Sequence, residues 1–256
     1  MRSAGNVRWK NVAAAVLTLT LLGAALAVAP AQWRAFDSRG LVGVDLRISI
    51  VFAERWSTTG SMYLERQLAG PYAAREFDPD LETLPSLYPP PAVLLFAPFR
   101  VLPSFLWWLV PLAVIGWSVA RSRPRTLVWP LIGAALAWPN TSSAIIAGNT
   151  AMWVAAAVAG GIHLGWPAVA IALKPSFAPF VLVGLLNKPR VFFAALLVLA
   201  TVSLLFLDQW PRYLSATLNA DVWPLYSIGD LPLLALPLIA WLGRSPSVMP
   251  GDAQVV

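Results

Sequence analysis

Residues 188–208, KPRVFFAALLVLATVSLLFLD, open on a lysine and an arginine, close on an aspartate, and hold no charge between 191 and 207. A bilayer is crossed by about 20 predominantly apolar residues, with a working range of roughly 17–25, so this stretch reads as a membrane helix. Further apolar runs lie at 11–31, 92–120 (broken near Pro103), 127–139, 151–173, 176–187 and 231–243. The whole chain agrees. It is 58% apolar and 12% charged over 256 residues, with a mean hydropathy of +0.68, where soluble domains run about 45–50% apolar and about 25% charged. A fold made of water-soluble domains is excluded. No cysteine is present, which removes disulfides, thiol catalysis and cysteine-ligated metals.

The net charge of +6 invites a nucleic-acid reading, and the positions of the charges answer it. Arg2, Arg8, Lys10, Arg121, Arg123, Arg125, Lys188, Arg190 and Arg244 flank the apolar runs. Basic residues flanking membrane helices stay in the cytoplasm. With Asp252 they give that side a net +8, against −2 for the remainder. The excess is an orientation signal, and no nucleic-acid partner is expected. The expected fold is an all-α, multi-spanning helical bundle of about eight transmembrane segments in the plasma membrane, both termini cytoplasmic. One integral membrane domain covers 1–256: a first span at 11–31, an outer loop at 32–88, a helical bundle at 89–243 and a cytoplasmic tail at 244–256. Run 11–31 also has the basic start of a signal peptide, but it exceeds the roughly 7–15 residues of a signal core, so an uncleaved helix is preferred. The outer loop holds fourteen of the 30 charges. A short outer loop is expected at 139–150, and three short segments at 151–163, 165–173 and 176–187. Tryptophans 33, 107, 108, 138, 210 and 223 fall near span ends, as an aromatic belt does.

The outer loop opens with Gly43-Val-Asp-Leu-Arg-Ile-Ser-Ile-Val-Phe-Ala-Glu-Arg-Trp56, a surface helix. At about 100° per residue, Asp45 projects about 160° away from Arg47, and Ile48 and Ser49 carry no charge. Asp45 thus lacks a local ion-pair partner. Two readings stand: a general base near an apolar interface, or a first-turn acid that favours the helix dipole. Lys174 is the only cation between Arg125 and Lys188. It is either functional, as intramembrane charges are by default, or a lysine snorkelling to the interface. His163 reads as a helix-end histidine. Asp78, Asp80 and Glu82 form an acidic patch that reads as a solvated loop, with a cation or polyol site as the second reading. No metal site is expected. The sequon at Asn140 carries no weight.

Four pieces occur in order: Asp45 followed by Gly60-Ser-Met-Tyr63; Tyr88-Pro-Pro-Pro; Gly148-Asn-Thr150; and Leu173-Lys-Pro-Ser-Phe-Ala-Pro179. Over residues 40–190 the set resembles the polyprenol-phosphate-mannose-dependent mannosyltransferases of glycosyltransferase family 87, in the GT-C superfamily. The resemblance implies a GT-C-like bundle that moves a sugar, mannose, from a polyprenyl-phosphate donor to a lipid or glycan acceptor at the outer face. It implies Asp45 as general base and Lys174 beside the donor phosphate. Tyr88 and Asn149 are implied as contacts to sugar or phosphate oxygens, and no cofactor is implied. This chain has Gly148-Asn149 where Gly-Gln is common. The family's chains are longer, which implies a chain shortened at its C-terminal end, with room for an additional membrane subunit. The alternatives are a shortened non-catalytic relative acting as a binding or scaffold subunit and, behind it, a transporter.

Overall fold

The computed structural model describes residues 4–72, 84–221 and 227–245. Among them the protein is all-α; its only β features are two isolated bridges, Tyr72–Ala220 and Pro124–Arg244. Helix α1 (Ala4–Asp37) is followed by α2 (Val44–Thr59) and the short α3 (Glu65–Ala69). A run of turns at 90–100 contains α4 (Val93–Phe96). Then come α5 (Leu106–Ser122), α6 (Trp129–Ala137), α7 (Pro139–Ala147) and α8 (Ala151–Leu164). Two 3-10 segments, Trp166–Leu173 and Pro175–Leu185, lead to α9 (Pro189–Ser203), α10 (Trp210–Leu218) and α11 (Leu231–Leu242). The acidic patch at 78–82, Trp223 and the tail beyond 245 lie outside the described residues.

Two stretches are long and apolar enough to cross a membrane, Arg8–Asp37 and Pro189–Phe206, and the bent pair α7–α8 is a third if counted as one span. Their surfaces suit lipid. Leu19, Leu26 and Val28 on α1, and Leu197, Val198 and Leu205 on the α9 stretch, all stand exposed. An apolar surface that extensive is costly in water. The remaining apolar helices span 10–17 residues, because prolines punctuate them. A residue before proline is pushed out of the α region. Trp138 (ψ 128), Lys174 (ψ 88) and Lys188 (ψ 64) each precede a proline, and each stands at a break between helical segments. The expected loop at 139–150 is instead largely helix α7. Pro139 occupies its first turn, where the missing N–H costs nothing, and α7 meets α8 at 106°.

The core forms where α5, α8 and α11 pack together, around Trp107, Met152, Val158, Ile162, Leu233 and Leu234. These helices run parallel. Trp107 of α5 meets Trp153 of α8 near their starts, and Ser118 meets His163 near their ends. At the far ends, Arg125 donates its N–H to the Gly243 carbonyl, and Ser245 donates to that of Arg123. Arg121–Arg125 and Arg244 therefore share one end of the bundle, and the helix starts share the other. Close approach of α8 to the 3-10 segment depends on Gly161, where a Cβ would stand 2.8 Å from that of Ala168, the small-residue contact that membrane bundles favour.

The bend between α7 and α8 is built on Gly148, at φ +72. A Cβ there would lie 3.0 Å from Cζ2 of Trp108. Trp107 donates its indole N–H to the Gly148 carbonyl at 2.6 Å, and Trp108 donates to that of Ile145 at 2.7 Å. Trp107 is fully buried, so it is a clamp on this bend rather than a member of an aromatic belt; Trp33 and Trp138 are exposed. Gly148→Ala should lower stability by about 1–2 kcal/mol through the left-handed backbone alone, with the Trp108 contact adding to that. Thermal unfolding in detergent, followed by tryptophan fluorescence, reads the change, and an unaltered midpoint would contradict this account of the bend.

Candidate functional site

Asp45 stands in the first turn of α2, after Gly43 in the left-handed region. Its carboxylate does not cap its own helix. Oδ2 accepts a hydrogen bond from Asn149 Nδ2 at 2.6 Å. Asn149 lies just before α8, and its Oδ1 accepts twice, from the Ala151 N–H at 2.8 Å and from Lys174 Nζ at 3.1 Å. Those two donors fix the amide orientation, since the flipped amide would set its NH2 against an N–H and an ammonium. The NH2 is thereby forced toward Asp45. Lys174, 4% exposed, lies in the break between the two 3-10 segments, where Pro175 imposes an extended backbone. Its Nζ pairs with Asp230 Oδ2 at 3.6 Å and lies 5.4 Å over the Phe177 ring. The result is one polar chain, Asp45–Asn149–Lys174–Asp230, at the starts of α2, α8 and α11.

Asp45, Tyr88, Asn149 and Lys174 line one cavity of about 250 Å³, together with Ser49 and Ser227. The four residues singled out in the sequence therefore share one space. Tyr88 is fixed at two points: its hydroxyl shares a 2.8 Å hydrogen bond with the Thr150 hydroxyl, and its carbonyl accepts from the Tyr63 hydroxyl at 2.7 Å. Tyr88 and Lys174 also border a narrow space of about 70 Å³ lined by Leu95, Trp153 and Ala170. Those last three residues in turn border an apolar groove of about 570 Å³ between α5 and α8, which runs past Ala113, Trp117 and Gly160 toward Leu164. The narrow space thus shares lining residues with the polar cavity on one side and with the apolar groove on the other.

Asp230 is absent from the sequence-based candidates. It stands where an apolar run begins, and acids at such borders are common enough to pass as orientation charges. His163 sits in the last turn of α8, within 3.0 Å of Ser118 Oγ and at the edge of Trp117, remote from the cavity. Among the described residues no group of three or more histidine, cysteine or acidic side chains could hold a metal ion. Comparison with protein-family models, curated proteins and solved structures finds no match for this chain.

Burial holds the Asp45 carboxyl above its ordinary 3.8; the hydrogen bond from Asn149 and the charge of Lys174 pull it down, and the charge of Asp230 pushes it up. Such an acid gains its proton on folding in the window between the unfolded and folded values, so stability falls as pH rises through that window. Asp45→Asn keeps the shape and removes the buried charge. It should therefore raise the thermal midpoint at pH 7, with the difference closing as the pH approaches 4. A variant less stable than the parent at both pH values would refute this.

Proposed function

We propose that this chain is a membrane glycosyltransferase that moves a sugar, mannose by preference, from a polyprenyl-phosphate donor to a lipid or glycan acceptor. The observation that carries the reading is a small space that shares Tyr88 and Lys174 with the polar cavity and shares Leu95, Trp153 and Ala170 with the apolar groove. A ligand with a compact polar head and a long apolar tail is the chemistry that such a pair of spaces fits. At about 250 Å³ the cavity is slightly below the roughly 300–1,000 Å³ of drug-sized sites, which favours a single small head group.

In this reading Asp45 takes the proton of the acceptor hydroxyl, and the freed oxygen attacks the anomeric carbon. The bond from that carbon to the phosphate oxygen breaks through an oxocarbenium-like state. Polyprenyl phosphate leaves with the bonding electrons, and the Lys174 ammonium stabilises the charge that develops on it. Asn149 and Tyr88 position the head group. The proposal includes a GT-C-like bundle of about eight crossings in the plasma membrane, with both termini cytoplasmic. Its orientation is supported by the separation of the Arg121–Arg125 and Arg244 end from the Asp45 end.

The test is sugar transfer by the full chain reconstituted in lipid, with long-chain and short-chain polyprenyl-phosphate donors. Asp45→Asn should lower turnover by about 100-fold or more, the usual contribution of a general base. Ala113→Trp, which fills the groove, should slow the long-chain donor at least about tenfold by misplacing its head and spare the short-chain one. Equal effects on both donors would remove the groove from the reading. Tight donor binding without transfer would favour the non-catalytic scaffold.

A further inference from the structure

Lys174 has two carboxylates within its electrostatic reach and pairs with only one. Its Nζ meets Asp230 at 3.6 Å, whereas among the described residues no ion pair joins it to Asp45. The Asn149 amide stands between them, accepting from Lys174 and donating to Asp45. We propose that Asp230 is a positioning residue that anchors the Lys174 ammonium beside Asn149 and so keeps it from closing on the Asp45 carboxylate. Its meaning for catalysis rests on the reading of Asp45 as proton acceptor; its geometry does not.

A lysine ammonium is a point charge on a flexible four-carbon stem, and in a buried site it is drawn strongly to the nearest anion. Lys174 is almost wholly enclosed and Asp230 is mostly buried, so water offers little screening. With Asp230 neutralised, the remaining anion within reach among the described residues is Asp45. Direct pairing would displace the Asn149 bridge and spend the carboxylate on a salt link, leaving a weaker base. Asp230 is held in place by its setting: it closes the turn Ile228–Asp230 that starts α11, its own N–H bonded to the Ser227 carbonyl at 2.9 Å.

Among the described residues, the other titratable groups around Asp45 do not supply a rival cation. On α2 itself, Arg47 donates to the Gly40 carbonyl, and Arg55 donates to the carbonyls of Met62 and Leu84. Glu54 lies more than two turns along the same helix and is exposed. Arg100, on the run that packs against α2, is also exposed. Helix α7, on the other side, has no titratable residue. Tyr88 borders the cavity with its hydroxyl engaged by Thr150.

The experiment is infrared titration of the Asp45 carboxyl in the full chain in lipid nanodiscs, the band assigned by its loss in Asp45→Asn. In Asp230→Asn the Asp45 midpoint should fall by roughly 1–2 pH units, the size of shift that a newly adjacent opposite charge produces. The same substitution in the Lys174→Met background should move it much less, because the anchored cation is gone. Asp230→Ser provides a second neutral variant of different size should Asp230→Asn fail to fold. The proposal is overturned by an unchanged midpoint, or by equal shifts in the two backgrounds, which would mean that Asp230 acts on Asp45 only through its own charge. No substrate enters this measurement. A chain that transfers no sugar would remove the function proposed above and leave the infrared midpoint to decide the role of Asp230.

Discussion

A single ammonium held inside an apolar bundle sets the terms for this structure. Removing an ion from water costs several kcal/mol even after relaxation, and the cost is met only by a partner of opposite charge and good hydrogen bonds. The interior of an apolar helix offers neither, because its backbone groups are already bonded to each other. Polar groups become available where helices begin or break. Lys174 sits at such a break, and its partners come from others: Asn149 lies just before α8 and Asp230 precedes α11. Asp45, in the first turn of α2, completes the chain through Asn149. The proline punctuation that leaves the helices short is thus what brings polar side chains to a common point. Gly148 and the Trp107 clamp hold the bend that delivers Asn149 there.

The same geometry orders the charges of the ends. Helices α5, α8 and α11 run parallel, so their partial positive ends converge toward the cavity and their partial negative ends point away. Arg121 in the last turn of α5 and Arg244 just beyond α11 stand at the negative ends. Arg121 and Arg244 therefore complement the dipoles of α5 and α11, whereas Lys188 and Arg190 stand at the start of α9, where a cation opposes the dipole.

Much of the site is legible in the amino-acid sequence, for reasons tied to particular residues. Asp45 and Lys174 are visible because a charge is conspicuous among apolar neighbours, and the expected segments 165–173 and 176–187 leave Lys174 in the gap between them. Asp230 is not visible. It borders an apolar run, where an acid needs no special explanation, and only the fold brings it to Lys174. Trp107 misleads because a tryptophan at a span start matches an aromatic belt as well as a core; burial by Phe96, Phe99 and Trp153 decides between them. Residues 139–147 mislead because Pro, Asn, Thr and Ser suit a turn as well as a helix start. Order and spacing carry the family resemblance, and no comparison extends it.

The apolar groove changes what the polar cavity must do under the proposed transfer. In that proposal a polyprenyl tail would enter the groove from lipid rather than from water, so burying it would gain little of the hydrophobic free energy that drives association in water. The groove would then serve to orient the tail and place its head, and discrimination would fall on the groups around the cavity. There one ammonium faces two carboxyls, a balance that does not by itself attract an anion. Recognition of a phosphate then depends on a directed donor more than on net charge. An ammonium has three N–H donors, and among the described residues Lys174 donates one to Asn149 and pairs by charge with Asp230 at 3.6 Å. Under the proposed transfer, a further N–H is the donor that an arriving phosphate oxygen would take, so the head group would be bound while the ammonium stays anchored away from Asp45.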